Sequence, residues 1–323
     1  MDVPVWVWIA FNIVVLGLLA LDLGVFNREA HVITIREALT WTAVWVSLSL
    51  VFNLIIFFWQ GPDKGIEFLT GYLIEYSLSV DNIFIFVLLF GYFKVPAQYQ
   101  HRVLFWGIIG ALLMRGALIG IGAALIDRFQ WILLLFGAFL IFTGIRLGLR
   151  GEESEEVHPE GNILVRIFRR YMPVTQEMRG EHFFVRENGR TYATPLFMVL
   201  LIVESTDLLF AVDSIPAIFG ITTDSFIVYT SNVCAILGLR SLYFLLAGVM
   251  DKFHYLQLGL AVILTFVGVK MVIPEIAHYV FDTEFKIPTV LSLGVIITIL
   301  AVAVIASLLR ARHLERESAT QNS

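Results

Sequence analysis

TPLFMVLLIVESTDLLFAVDSIPAIF, residues 194–219, is apolar almost throughout yet carries three carboxylates, Glu204, Asp207 and Asp213. A helix rises about 1.5 Å per residue, so this stretch is long enough to cross the roughly 30 Å hydrocarbon layer of a bilayer. Residues 66–93 have the same character and hold Glu75 and Asp81. An ionised side chain at the centre of a membrane helix costs about 2.5–3.5 kcal/mol, so five acids facing lipid would cost roughly 12–18 kcal/mol. The acids must therefore face a bundle interior, an aqueous cavity or one another. The expected fold is an all-α, polytopic membrane protein.

The rest of the chain agrees. It is 58% hydrophobic and only 15% charged, with a mean hydropathy of +0.83. Soluble domains lie nearer 45–50% apolar and about 25% charged. Apolar runs predict about nine transmembrane helices, over 5–26, 37–59, 66–93, 103–126, 130–149, 194–219, 225–249, 254–273 and 288–310. No Lys or Arg precedes the first run and no small-residue cleavage site follows it, so it reads as a retained span rather than a secretion signal. The single cysteine, Cys234, excludes disulfide frameworks, paired redox thiols and thiolate metal cages within this chain.

Of the 22 Lys and Arg residues, Lys64, Arg128 and Lys286 fall in outer segments if the N-terminus is outside, and Arg115, Arg240 and Lys270 fall within spans. All the others are then inside, which predicts a periplasmic N-terminus and a cytoplasmic C-terminus. The one sizeable loop, 150–193, opens with Glu152, Glu153, Glu155 and Glu156 and continues with a basic stretch from Arg166 to Arg170. Near its end, Asn188-Gly189 between apolar and aromatic residues predicts a β-hairpin.

The two acid-bearing spans begin two similar segments. Val80-Asp81-Asn82 answers Val212-Asp213-Ser214, with Glu75 and Asp207 each six residues before the aspartate. Arg115 answers Arg240, and Thr143-Gly144-Ile145-Arg146 answers Val267-Gly268-Val269-Lys270. Each copy holds three spans, so the second enters from the opposite face. These are two inverted three-helix repeats, the architecture of many secondary transporters, with sites near the midplane. The chain thus divides into two N-terminal membrane helices (1–65), a first repeat (66–149), a cytoplasmic loop (150–193), a second repeat (194–273), and a last helix with a tail (274–323).

The candidate metal site is Glu75, Asp81, Asn82, Glu204, Asp207, Asp213 and Ser214, with Arg115 and Arg240 as counter-charges. Two arginines against five acids leave a formal deficit of three, which suits a divalent cation plus titratable protons. Glu75 and Asn82, like Asp207 and Ser214, are seven residues apart and share a helix face. Asp81 and Asp213 fall about 120° away and converge with the others only if the helices break or if they face the opposing repeat; Pro216 and the length of span three favour a break. Oxygen ligands suit Mg²⁺, Ca²⁺ or Mn²⁺. His31, His101, His158, His182, His254, His278 and His313 fall in loops or at span ends, so no pair is placed to hold a haem. Asp127 and Asp251 read as solvated or capping. Asp22, Asn12, Asn53 and Asn232 read as lone polar groups that bond between helices, Asn232 being the one that shares a span with Arg240.

Glu75–Asn82 (EYSLSVDN) and Glu204–Ala217 (ESTDLLFAVDSIPA) resemble the two hallmark motifs of the TerC family of membrane proteins, and over nearly its whole length the chain is most similar to the Alx-type members. The resemblance implies a bacterial inner-membrane location and manganese export, with an association with tellurium resistance. It also brings a membrane-bound redox modulator as an alternative; a non-transporting scaffold of a stress response is a second. The expected function is a transporter, not an enzyme, moving a divalent metal cation, Mn²⁺ in particular, with no cofactor and possible exchange for protons as the repeats rock. The partners are the bilayer and the ion, with no nucleic acid.

Overall fold

The computed structural model describes residues 3–21, 33–129, 131–149, 163–175, 177–187, 189–247, 255–281 and 287–321. The backbone alone is described at 81, 163–165, 169, 278–281 and 313–321. The helices are α1 (Val5–Leu21), α2 (Ile35–Gln60), α3 (Pro62–Tyr92), α4 (Ala97–Arg128), α5 (Ile132–Leu149), α6 (Ile163–Tyr171), α7 (Pro195–Phe219), α8 (Ser225–Leu237), α9 (Leu239–Leu246), α10 (Leu256–Phe281) and α11 (Thr289–Gln321). Strands β1 (Phe184–Glu187) and β2 (Arg190–Ala193) pair antiparallel, with Phe184 opposite Ala193 and Glu187 opposite Arg190. Gly189 takes φ +77° in the turn between them, a conformation that glycine adopts without cost. The protein is an all-α polytopic membrane protein.

The expected nine spans resolve differently. Among the described residues seven helices are each long and apolar enough to cross a membrane, α8 and α9 make an eighth only if taken together, and α1 is described over 17 apolar residues. The α8–α9 pair is bent by 41° at Gly238, a break that composition could not reveal. The break expected in spans three and six is absent: α3 and α7 are continuous. Pro216 lies in the last turn of α7, where the ring disrupts little before the helix ends at Phe219. The extra length of α3 lies at its start, where Pro62 stands at the first helical position. Helix α3 therefore begins before residue 65 and α10 runs past 273, so both of those expected boundaries fall inside helices.

Packing between α3–α5 and α7–α10 is reciprocal. Helix α3 lies on α8, α4 lies on α7, and α5 lies on α10. The α5–α10 seam is built on glycine: a Cβ at Gly137 would meet the carbonyl oxygen of Gly268 at 2.9 Å, and one at Gly268 would meet that of Gly137 at 2.7 Å. Small residues let membrane helices approach this closely, where dispersion and weak polar contacts replace the missing hydrophobic drive. Asn12 of α1 accepts from the Tyr229 hydroxyl of α8 at 2.6 Å. Large apolar side chains such as Phe58, Leu113 and Leu209 point outward, as a lipid-facing surface requires.

Candidate functional site

Helix α4 carries Arg115 into the space between α3 and α7, where it is 2% exposed. Its Nε donates to Asp207 Oδ2 at 3.1 Å and its Nη2 to Oδ1 at 2.8 Å, a two-point pairing of planar groups. Its Nη1 donates to Glu75 Oε1 and also reaches Ser214 Oγ at 3.3 Å. One guanidinium thus ties α3, α4 and α7 together inside the membrane region. Glu75 is fully buried, and among the described residues its second oxygen, Oε2, has no hydrogen-bond partner.

Beside this centre lies a cavity of about 160 Å³. Its polar lining is Glu75 and Asn82 of α3, Thr143 and Arg146 of α5, and Asp213 and Ser214 of α7, with Leu78, Leu147, Phe210 and Leu264 supplying apolar walls. Asp207 faces the other way as well: with Arg240 it lines a much smaller pocket of about 10 Å³ between α4, α7 and α9. Glu204 sits apart from both, its carboxylate laid against α4 at Gly110, where a Cβ would overlap it. Its Oε2 is buried and has no hydrogen-bond partner among the described residues. The Asp81 side chain lies outside the described residues.

The predicted site residues are therefore distributed rather than gathered around one point. Glu75, Asn82, Asp213 and Ser214 share the cavity; Asp207 is engaged by Arg115; Glu204 stands one turn away on α7. Among the described residues no group of three or more His, Cys, Asp or Glu comes together as a metal cage. The charge balance also changes. Arg146, which sequence reasoning placed at the inner end of its span as an orientation signal, lines the cavity. Lys270 is only 8% exposed, with Glu67 as an electrostatic partner. Arg146 thus adds a third cation to Arg115 and Arg240 against the five acids, whereas Lys270 is matched by Glu67. The signal was present: Arg146 and Lys270 occupy matching places in the two similar segments. His101 is a further correction, since α4 starts earlier than its apolar run and the imidazole is buried within it, 7% exposed.

Two other polar features stand out. Asn232 of α8 is completely buried, and among the described residues neither its Oδ1 nor its Nδ2 has a hydrogen-bond partner. At the end where α3 and α8 begin, Lys64 Nζ bridges Glu67 Oε2 at 2.9 Å and Asp224 Oδ2 at 3.0 Å, and the Thr222 hydroxyl donates to Glu67 Oε2 at 2.6 Å. Asp224 also caps α8 by accepting from the Phe226 and Ile227 amides.

Residues 60–315 match the family described as Integral membrane protein TerC family. An uncharacterized membrane protein of Myxococcus xanthus is 52% identical over 95% of this chain and 93% of its own length. Alx of Escherichia coli (strain K12), described provisionally as a membrane-bound redox modulator, is 48% identical over 92% of each chain. A membrane protein of Rickettsia bellii is 40% identical over 96% of this chain and 99% of its own. No solved structure matches.

Proposed function

The chain belongs to the TerC family of integral membrane proteins, and from that premise we propose that it carries a divalent metal cation across the bacterial inner membrane, Mn²⁺ being the ion that the family resemblance implies. The observation that carries this reading is the cavity in which Glu75, Asn82, Asp213 and Ser214 present carboxylate, amide and hydroxyl oxygens inside the membrane region. Hard oxygen donors of this kind suit Mn²⁺, Mg²⁺ or Ca²⁺. The unpartnered Glu75 Oε2 supplies an acceptor that a hydrated cation would satisfy. Arg115 offsets one of the two charges of Glu75 and Asp207 when no cation is present, which leaves one negative charge, or one proton, for an incoming cation to replace.

Reciprocal packing of α3–α5 with α7–α10 supports the inverted-repeat reading, in which access alternates between the two faces. The charge asymmetry of the loops supports a periplasmic N-terminus and a cytoplasmic C-terminus. Glu75 and Asp213, the two carboxylates at the cavity, can exchange a proton for metal, so a proton gradient can drive the cation the opposite way. The protein acts as a transporter rather than an enzyme. A redox role, as in the description of the Alx relatives, cannot use a disulfide within this chain, because Cys234 is its only cysteine.

The test is metal uptake by vesicles containing the purified protein, comparing Mn²⁺ with Mg²⁺, Ca²⁺ and Zn²⁺ and following internal pH at clamped potential. Selective Mn²⁺ flux with counterflow of protons is expected. Vesicles no leakier to any divalent ion than protein-free ones would refute transport, and flux without proton movement would refute the coupling alone.

A further inference from the structure

Helix α6, ILVRIFRRY, stands outside the α3–α5 and α7–α10 groups. Its place is fixed by α7. Phe168 packs on Phe197, in the first turn of α7, with ring centroids 5.1 Å apart. Beyond Tyr171 the chain turns back: the Ala193 amide donates to Pro173 O at 3.0 Å, and the Thr175 amide donates to Ala193 O at 2.9 Å. Thr194, the N-cap residue of α7, follows directly. Both the middle and the end of α6 are thus held at the point where α7 enters the membrane.

At about 100° per residue, Ile167 and Tyr171 lie about 40° apart on the helix surface, and so do Arg166 and Arg170. The two pairs occupy adjoining arcs. Phe168, at the far edge of the apolar arc, is the side chain that α7 covers. Ile167 remains 48% exposed and Tyr171 82% exposed. Arg166 and Arg170 are exposed as well. An apolar strip bordered by guanidinium groups, held at the membrane entry of a spanning helix, has the composition of an interfacial helix.

We propose that α6 is a membrane-surface anchor that binds anionic phospholipid. Ile167 and Tyr171 enter the boundary between headgroups and acyl chains, about 5–10 Å deep for helices of this kind. Arg166 and Arg170 remain at the headgroups and grip lipid phosphates, which planar guanidinium groups bind by two-point hydrogen bonds. A bilayer rather than a protein is the occupant because α7 fixes this strip where headgroups and acyl chains meet, and because its border charge complements acidic lipid. The hairpin, joined to α6 by the Pro173–Ala193 contacts, is thereby set against the membrane surface.

The full chain in lipid nanodiscs tests this, with Ile167→Cys or Tyr171→Cys spin-labelled and the unsubstituted protein giving the background from buried Cys234. Collision with oxygen, which partitions into lipid, is compared with collision with a water-soluble nickel chelate. In discs containing phosphatidylglycerol, both positions should favour oxygen several-fold. That preference should fall in discs of phosphatidylcholine alone, and fall likewise on adding Arg166→Gln with Arg170→Gln. Equal preference in both lipids would overturn the proposal. So would nickel accessibility in both, which would leave the strip to a protein partner. If the arginine variant does not fold, the two lipid compositions decide the matter with the natural charges in place.

Discussion

Arg115 and Asp207 form a two-point ion pair across α4 and α7, with Nε and Nη2 each donating to a different carboxylate oxygen. The same guanidinium serves Glu75, so its removal strands two carboxylates at once. Breaking a buried pair from one side costs about 3–5 kcal/mol. Arg115→Gln should lower the thermal unfolding temperature markedly in detergent, and added Mn²⁺ should recover more of the loss than it adds to the wild type. Equal stabilisation of both proteins by Mn²⁺ would separate Arg115 from the ion. Arg115→Lys should fall between, since a point charge cannot reproduce the two-point contact.

Asp213→Asn and Asp81→Asn should each abolish Mn²⁺ flux in vesicles while leaving membrane insertion intact. An amide matches the carboxylate in size but loses its charge and much of its ligand strength. Wild-type flux from both variants would favour a scaffold in place of a transporter.

Arg146 shares the cavity with Asp213, so its charge opposes any cation that enters. Arg146→Gln should lower the Mn²⁺ concentration for half-maximal flux by several-fold, and slower release should lower the maximal rate. Flux measured over a range of Mn²⁺ concentrations separates the two effects. A higher half-maximal concentration would mean that Arg146 supports the site rather than competing for it.

Gly110 leaves the room that the Glu204 carboxylate occupies against α4. Gly110→Ala should destabilise the protein by about 1–3 kcal/mol, the usual cost of overpacking. Adding Glu204→Ala should recover most of that loss, because the two groups compete for one space. A double variant no more stable than Gly110→Ala, by thermal unfolding, would place the strain elsewhere.

Hydropathy located α2–α5, α7, α10 and α11 because a bilayer demands long apolar runs whatever the tertiary packing. It could not see the bend at Gly238, which changes direction without changing composition; of the first run, only Val5–Leu21 is among the described residues. The buried acids were legible for an energetic reason: a carboxylate inside an apolar run is too costly to be incidental. Arg146 was not, because a basic residue near a span end reads first as a signal of orientation. Nor was the sharing of Arg115 between Glu75 and Asp207. That depends on three helices meeting at one depth, which spacing along a single helix does not encode.

Gly137 and Gly268 bring the backbones of α5 and α10 into contact across the boundary between the two similar segments. If the segments tilted apart as independent bodies, they would have to part at this seam, where the helices fit too closely to yield gradually. A change of access between the two faces therefore has to leave α5 and α10 together, as one stiff strut.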